Sequence, residues 1–168
     1  YKIELNDFGA TAIALYTGMR LDEICEVKES DISEDCIHIQ KGKTSATSRV
    51  IPINPILNPV IEKHIERSRD GYLITGVRPG GYDNKRSWNF QKRLSRLRNK
   101  IGLTEGVVFH TLRNTFATRM ENLGIPRNHI SQLMGHEDSN MALDVYSGGL
   151  AIEPLRESIN KLSYGEEV

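Results

Sequence analysis

The 168-residue sequence is short of several features that mark common protein classes. Its only cysteines are Cys25 and Cys36, and neither belongs to a Cys-x-x-Cys pair. This argues against a disulfide scaffold or a zinc site and favours buried thiols in a reducing, cytoplasmic setting. There is no 18-residue apolar run and no basic-then-apolar leader, so neither a membrane span nor a secretory signal is expected. The 22 basic and 22 acidic residues balance, so net charge alone does not indicate a nucleic-acid partner.

The length fits one domain with a core of its own. We therefore expect residues 1–168 to form a single domain, with residues 151–168 as a C-terminal tail or helix. Because the first residue is Tyr1 rather than Met, we also expect the chain to be a piece of a longer protein that lacks a partner domain.

The apolar periodicity predicts a mixed α+β fold that is mainly α-helical, with a small antiparallel β-hairpin at one edge. The hairpin is expected from the alternation in residues 36–40 and 49–53, with Lys43 near its tip. A further helix is expected from Pro55 to Asp70-Gly71, followed by a short strand at 72–74. The other predicted helices are 5–17, a short one from Leu21, 85–100, 111–123, 126–134, 140–145 and 151–163.

Positive charge is concentrated in the second half of this neutral chain. Residues 85–128 contain ten basic and two acidic residues. Phe90, Leu94, Leu97 and Ile101 are expected to form the apolar stripe of the helix there, which leaves a cationic face. A phosphate backbone rewards such clustering, so we predict DNA contacts by Lys85, Arg86, Lys92, Arg93 and Arg96.

A second group of residues suits the binding of an anion. His110 and Arg113 lie three positions apart at a predicted helix start, where free N–H groups and the helix dipole favour negative charge. His136 follows the helix-ending Gly135, and Tyr146 comes ten positions later. Each of these residues is a weak signal alone, but two imidazoles, a cation and a phenol together could hold and attack a phosphodiester.

The order of these residues resembles the tyrosine recombinase, or phage integrase, family, and the resemblance spans essentially the whole chain. It rests on the stretches Thr17-Gly18-Met19-Arg20-Leu21-Asp22-Glu23-Ile24, Lys43-Thr44 before Arg49-Val50-Ile51-Pro52, Phe109-His110-Thr111-Leu112-Arg113-Asn114-Thr115-Phe116-Ala117, Leu133-Met134-Gly135-His136 and Val145-Tyr146-Ser147.

The resemblance implies the catalytic domain of a site-specific DNA recombinase, without the N-terminal core-binding domain that family members usually carry. Tyr146 would be the nucleophile that forms a 3′-phosphotyrosyl bond. Arg20 and Arg113 would bind the non-bridging oxygens, and Lys43 would protonate the leaving 5′-oxygen. His110 would be a general acid–base, His136 would hydrogen-bond the phosphate, and Glu23 would orient the site from behind. No metal and no cofactor are implied.

Three departures from the family pattern affect particular positions. Asn114 stands where many members have His, outside the core catalytic set. The spacing from His136 to Tyr146 is ten, where nine is commoner, so the placement of Tyr146 is the least fixed. The lysine could be Lys41 or Lys43, and Lys43-Thr44 is the better match.

The expected partner is double-stranded DNA, held by a homotetramer on two DNA sites. The segment 151–163 could then dock on a neighbouring subunit or back on its own domain. Three rivals remain: a type IB topoisomerase, a metal-dependent nuclease, and a non-catalytic helix-turn-helix module that reads bases with Arg127, Asn128 and Gln132. The helix-turn-helix hypothesis leaves Arg20 and Lys43 unexplained.

Overall fold

The computed structural model describes residues 5–33, 35–40, 48–103, 106–136 and 151–165. Within them the chain forms seven α-helices and three short strands, which confirms the prediction of a mainly helical α+β fold. No helix in these ranges is long and apolar enough to cross a membrane. The elements are α1 (Leu5–Thr17), α2 (Leu21–Glu26), β1 (Ile32–Ser33), β2 (Cys36–Ile39), β3 (Arg49–Pro52), α3 (Asn58–Arg67), α4 (Arg86–Lys100), α5 (His110–Asn122), α6 (Arg127–Met134) and α7 (Ile152–Asn160).

The junction between α1 and α2 lies directly against α5. Gly18 ends α1 with a φ of +66°, a left-handed conformation that favours glycine. A Cβ at this position would lie 2.5 Å from Cδ1 of Phe116, which is fully buried on α5. Arg113, in the first turn of α5, also donates to the carbonyl oxygen of Gly18, two residues before Arg20.

The three strands form one antiparallel sheet in the order β1-β2-β3. Ile37 pairs with Ile51, and both side chains are fully buried, so the predicted hairpin is confirmed. The additional strand β1 was not predicted, because two residues are too few to show alternation. The predicted hairpin tip with Lys43 lies outside the described residues.

The structure corrects the prediction for residues 55–74. Instead of one helix from Pro55 to Asp70, a 3-10 turn (Pro55–Leu57) precedes α3, which ends at Arg67. The Asn54 side chain accepts a hydrogen bond from the backbone N–H of Ile56 and so fixes the turn, which leaves Ile56 half exposed. The predicted strand at 72–74 is reduced to one isolated bridge between Tyr72 and Lys28.

The predicted apolar stripe of α4 is only partly buried. Phe90 is 3% exposed, whereas Leu94 and Leu97 are half-buried and Ile101 is 50% exposed. The prediction that Ile101 belongs to the core is therefore wrong. The reason is that α4 packs on α2 mainly through its N-terminal half, where Ser87 and Lys85 contact Asp22.

The C-terminal helix α7 docks on its own chain. Leu155, Ile159 and Leu162 are almost completely buried. The Asn54 side chain donates to the carbonyl oxygens of Ile159 at 2.8 Å and Leu162 at 3.0 Å. In this single chain the helix thus packs on its own domain, and docking on a neighbouring subunit stays a prediction.

A buried histidine links α3 to α1. His64 is fully buried, its Nδ1 lies 3.1 Å from the carbonyl oxygen of Leu73, and a Cβ on Gly9 would lie 1.9 Å from its Nε2. Burial lowers the pKa of His64 below its usual 6.5. Since the unfolded chain then binds a proton more readily than the folded protein, the stability should fall as the pH drops below about 6.5.

The His64→Gln variant tests this pH dependence. Because the variant cannot titrate here, its unfolding free energy should vary less steeply between about pH 5 and 7, with one proton worth at most about 1.4 kcal/mol per pH unit. Urea unfolding at several pH values measures the slope. His38→Gln, which removes an exposed imidazole on β2 instead of a buried one, is the control. An unchanged slope in His64→Gln would contradict the assignment.

Candidate active site

Arg113 is a buried cation that joins three elements. It lies in the first turn of α5 and is 1% exposed. Its Nη1 donates to the carbonyl oxygen of Gly18, and its Nη2 donates to that of Met134 at 2.7 Å. Burial first and the charge of Arg20 second lower the pKa of Arg113 to about 10, although the charge of Glu23 raises it. The guanidinium therefore remains charged at neutral pH, and Arg20 and Glu23 are close enough to affect it.

Arg20 lies at the N-cap of α2 and is held there by Glu23. One carboxylate oxygen of Glu23 accepts the backbone N–H of Arg20 at 2.8 Å, and the other accepts its Nη1 at 3.2 Å. The Arg20 side chain is 40% exposed. The geometry thus suits the role expected for Glu23, which is to direct a solvent-accessible guanidinium.

Arg49, on β3, joins the same cluster. Its Nη1 and Nη2 each donate to a different oxygen of Glu23 at 2.9 Å, and its Nε donates to the carbonyl oxygen of Leu133 at 2.8 Å. Arg49 lies in one of the stretches that resemble the family, but the sequence analysis assigned it no role. The strand pattern could have indicated that Arg49 is buried, because Arg49 and Ile51 lie two residues apart and therefore on the same face of the strand. A charged residue at an inward position requires a buried partner.

The C-terminal end of α6 is bound by these two buried arginines. The carbonyl oxygens of Leu133 and Met134 lack partners within the helix, and they accept from Arg49 and Arg113. Cations are also favoured at this end by the helix dipole. Gly135 then ends α6 with a φ of +65°, and a Cβ there would lie 2.7 Å from Nη1 of Arg49.

The two candidate histidines are exposed and flank Arg113 along the chain. His110 is the first residue of α5, one turn before Arg113. His136 comes two residues after Met134, whose carbonyl oxygen binds Arg113. Both histidines are therefore close along the chain to residues of a cluster with three positive side chains and one carboxylate, a charge balance that suits a phosphate.

Two of the expected catalytic residues cannot be placed against this cluster. The described residues do not include the candidate nucleophile Tyr146. They also do not include the candidate lysine, which is Lys43 or its alternative Lys41. Among the residues that the structure describes, no group of three or more His, Cys, Asp or Glu side chains could hold a metal ion.

The predicted DNA-contacting residues differ in whether they pair with an acidic side chain. Lys85 forms an ion pair with Asp22 at 3.0 Å, and Arg93 forms one with Asp7 at 2.9 Å. Arg96 is exposed, and Lys92 lies 3.5 Å from the ring centre of Trp88, which is 41% exposed. A groove of roughly 680 Å³ follows this side of α4, between Trp88 and Arg96.

Arg86 has a structural role that contradicts its predicted contact with DNA. It is 8% exposed, and its guanidinium stacks 3.6 Å from the ring centre of Tyr72. Its Nε donates to the carbonyl oxygen of Cys25 at 2.9 Å, and its Nη2 donates to Ile74 at 3.0 Å and to Asp70 at 3.3 Å. The cluster of basic residues in 85–100 is present, but the sequence does not reveal which of these side chains turn inward.

A family model described as the phage integrase family matches residues 2–148. The chain belongs to this family. It is 31% identical over 157 residues to tyrosine recombinase XerA of Pyrococcus horikoshii, a match that covers 90% of this chain and 53% of that protein. The chain therefore spans about half the length of the curated relatives it matches.

Solved structures share the fold of this phage integrase domain. The crystal structure of XerA recombinase matches with a TM-score of 0.66 and 24% identity, over 94% of this chain and 57% of the other. A lambda integrase tetramer bound to a Holliday junction matches with a TM-score of 0.62 and 23% identity, over 83% of this chain and 43% of the other. The prediction of the tyrosine recombinase fold is confirmed.

The contact between Gly135 and Arg49 predicts a difference between two glycine variants. Gly124 and Gly135 end consecutive helices with φ of +71° and +65°, but nothing lies within 4 Å of a Cβ on Gly124. Gly124→Ala should cost about 1–2 kcal/mol of backbone strain. Gly135→Ala should cost about 1–3 kcal/mol more, because Arg49 must give up hydrogen bonds to buried partners.

Chemical denaturation of the two alanine variants measures the difference directly. Equal losses of unfolding free energy would mean that Arg49 moves away from Gly135 without losing its partners.

Proposed function

We propose that this chain is the catalytic domain of a site-specific DNA recombinase that cuts and rejoins DNA through a phosphotyrosine. The observation that carries the proposal is the way in which Arg113, in the first turn of α5, is joined to Arg20. Arg113 binds the carbonyl oxygen of Gly18, two residues before Arg20, and Glu23 binds both Arg20 and Arg49. Membership of the phage integrase family supports the same activity.

In this proposal Arg20 and Arg113 bind the non-bridging oxygens of the scissile phosphate. A guanidinium has five N–H donors, and the described backbone carbonyls of Gly18 and Met134 accept from two N–H groups of Arg113. The planar fork and permanent charge of arginine match a phosphate. Both charges would stabilise the extra negative charge of the pentacoordinate transition state, in which one well-placed donor is worth roughly 3 kcal/mol.

The other steps involve Tyr146, Lys43 and the two histidines. Tyr146 attacks the phosphorus, and because a phenol has a pKa of about 10 it must lose its proton as it attacks. His110 takes up and returns that proton. Lys43 protonates the departing 5′-oxygen, and His136 donates a hydrogen bond to the phosphate. The phosphotyrosyl bond conserves the energy of the broken bond, so a second 5′-hydroxyl can reverse the reaction on another strand.

The proposed partner is duplex DNA in the cytoplasm, bound by a homotetramer. The lambda integrase structure, a tetramer on a Holliday junction, supports this assembly for a protein with the same fold. Strand exchange between two duplexes needs four nucleophiles, one for each strand, which a tetramer supplies.

The helix-turn-helix alternative is less well supported. The Arg127 side chain is 90% exposed, but Asn128 and Gln132 are only half exposed. His129, the residue after Asn128, faces α7, because its Nδ1 lies 2.8 Å from the hydroxyl oxygen of Ser158. Since α6 is covered by α7 on one side and held by arginines at its end, it offers little surface for reading bases.

A nicked suicide substrate tests the proposed chemistry. With no magnesium and with EDTA present, the protein should form a covalent adduct with the DNA, seen as a band shift under denaturing conditions. Tyr146→Phe removes only the hydroxyl and should abolish the adduct, because no nucleophile remains. Arg113→Lys keeps one charge but loses the planar fork, and it should slow adduct formation by about a hundredfold or more.

Two outcomes would contradict the proposal. An adduct that persists in Tyr146→Phe would mean that another residue attacks. Cleavage that EDTA eliminates would favour a metal-dependent nuclease instead.

We further propose that the exposed side of α4 contacts the DNA backbone through Lys92 and Arg96. The inward-facing Arg86 is no longer part of this set, and Lys85 and Arg93 are already paired with acids. Each phosphate contact should contribute about 0.9 to the slope of log affinity against log salt.

Lys92→Gln and Arg96→Gln should therefore each weaken duplex binding and reduce the salt slope by about 0.9. Fluorescence anisotropy over a series of salt concentrations measures both effects. Lys63→Gln, an exposed lysine on α3, is the matched control and should leave the slope unchanged. Identical slopes in all four proteins would place the DNA on a different surface.

A further inference from the structure

Arg49 connects the two cations of the proposed phosphate site without being one of them. Its two terminal nitrogens bind both oxygens of Glu23, and its Nε binds the last turn of α6. The side chain is 5% exposed, which is much less than the 40% of Arg20. Since Nε, Nη1 and Nη2 of Arg49 all donate to protein acceptors, its effect on a bound phosphate passes through these neighbours.

Glu23 is the neighbour through which Arg49 acts on Arg20. The same carboxylate accepts the backbone N–H and the Nη1 of Arg20. Burial raises the pKa of Glu23, but the hydrogen bonds and charge of Arg49 outweigh this and keep the pKa below its usual value. Glu23 thus stays ionised and binds two arginines. The guanidinium of Arg49 lies closer to it, with two hydrogen bonds of 2.9 Å, than that of Arg20, with one of 3.2 Å.

The charges in this cluster show why the sharing matters. Arg20, Arg49 and Arg113 carry three positive charges and Glu23 carries one negative charge, so the cluster has a net charge of about +2. Without Arg49 the net charge falls to about +1, and the remaining carboxylate would pair fully with Arg20. A guanidinium that is paired with an internal carboxylate competes poorly for a phosphate.

Arg49 also fixes the chain from which His136 emerges. Its Nε holds the carbonyl oxygen of Leu133, and its Nη1 occupies the space that a Cβ on Gly135 would fill. His136 is the next residue. The Arg49 side chain therefore affects two parts of the site: it neutralises the carboxylate that binds Arg20, and it holds the turn before His136.

We propose that Arg49 is a positioning residue that neutralises Glu23, so that Arg20 stays available to phosphate, and holds the Gly135-His136 turn beside it. This inference rests on the proposed function. It assigns to Arg49 a contribution to phosphate binding that is separate from its contribution to stability.

Arg86 provides a matched control for the separation of these two contributions. Arg49 and Arg86 are both 8% exposed as residues, and each donates to a backbone carbonyl and to a carboxylate. Arg86 makes its contacts with Cys25, Ile74 and Asp70, none of which belongs to the phosphate site. Loss of either arginine should destabilise the fold, but only the loss of Arg49 should impair the site.

The decisive experiment compares Arg49→Gln, Arg86→Gln and the double variant Arg49→Gln/Glu23→Gln. Urea unfolding gives the folded fraction, and the rate of adduct formation on the suicide substrate is expressed per folded molecule. Arg49→Gln should reduce this rate by about tenfold or more. Arg86→Gln should stay within about twofold of wild type. The double variant restores the net charge and should recover a large part of the rate.

A purely structural role of Arg49 predicts a different pattern. The double variant would then be no faster than Arg49→Gln, and the rates of both would follow the folded fraction. That result would overturn the proposal. If Arg49→Gln does not fold, Arg49→Lys replaces it, because it keeps the charge but cannot bind both oxygens of Glu23 and should be slower than wild type.

A second measurement separates this inference from the proposed function. Titration with inorganic phosphate, followed through the imidazole NMR signals of His110 and His136, needs no catalysis. Phosphate affinity should fall by about tenfold in Arg49→Gln, recover in the double variant and stay unchanged in Arg86→Gln. If wild type forms no adduct but the affinities follow this order, the recombinase function fails and the role of Arg49 stands. Equal phosphate affinities in all variants would refute that role.

Discussion

The hydrogen bonds from Arg49 and Arg113 to the last carbonyls of α6 hold the candidate site together. These carbonyls need partners because the helix ends there, and the two cations supply them. The same arginines reach back to Glu23 and to Gly18, so α6 is joined to β3, to α5 and to the α1–α2 junction. A helix end that would otherwise be costly to bury thus becomes the point at which the elements of the site converge.

This arrangement has an electrostatic cost that a bound phosphate would relieve. Arg113 is buried close to two other guanidinium groups, and its pKa of about 10 reflects burial first and the charge of Arg20 second. Burying a charge and placing like charges together both oppose folding. An anion bound at Arg20 and Arg113 would offset these effects, and the proposed scissile phosphate is such an anion.

The sequence predicts most of the fold but only part of the site. Helical periodicity and Gly18 identify α1 correctly because they depend on local spacing, and alternation identifies the hairpin. Ile101 is wrongly assigned to the core because burial depends on what packs opposite a residue. Arg20 and Arg113 are found through the motif that contains them. Arg49 is missed because its partners are 26 and 84 residues away along the chain.

The case of α4 shows how a neutral chain can still present a cationic surface. Its basic residues differ in what they face: Arg86 is enclosed, Lys85 and Arg93 meet Asp22 and Asp7, and Lys92 and Arg96 are exposed. Acids are therefore placed against some basic residues and not against others. Net charge averages over all of these residues, whereas a strand bound along α4 would meet only the exposed basic residues that no acidic side chain neutralises. The local excess of basic residues therefore supports the proposed DNA surface, which the overall balance hides, although the sequence does not indicate which of these residues reach the solvent.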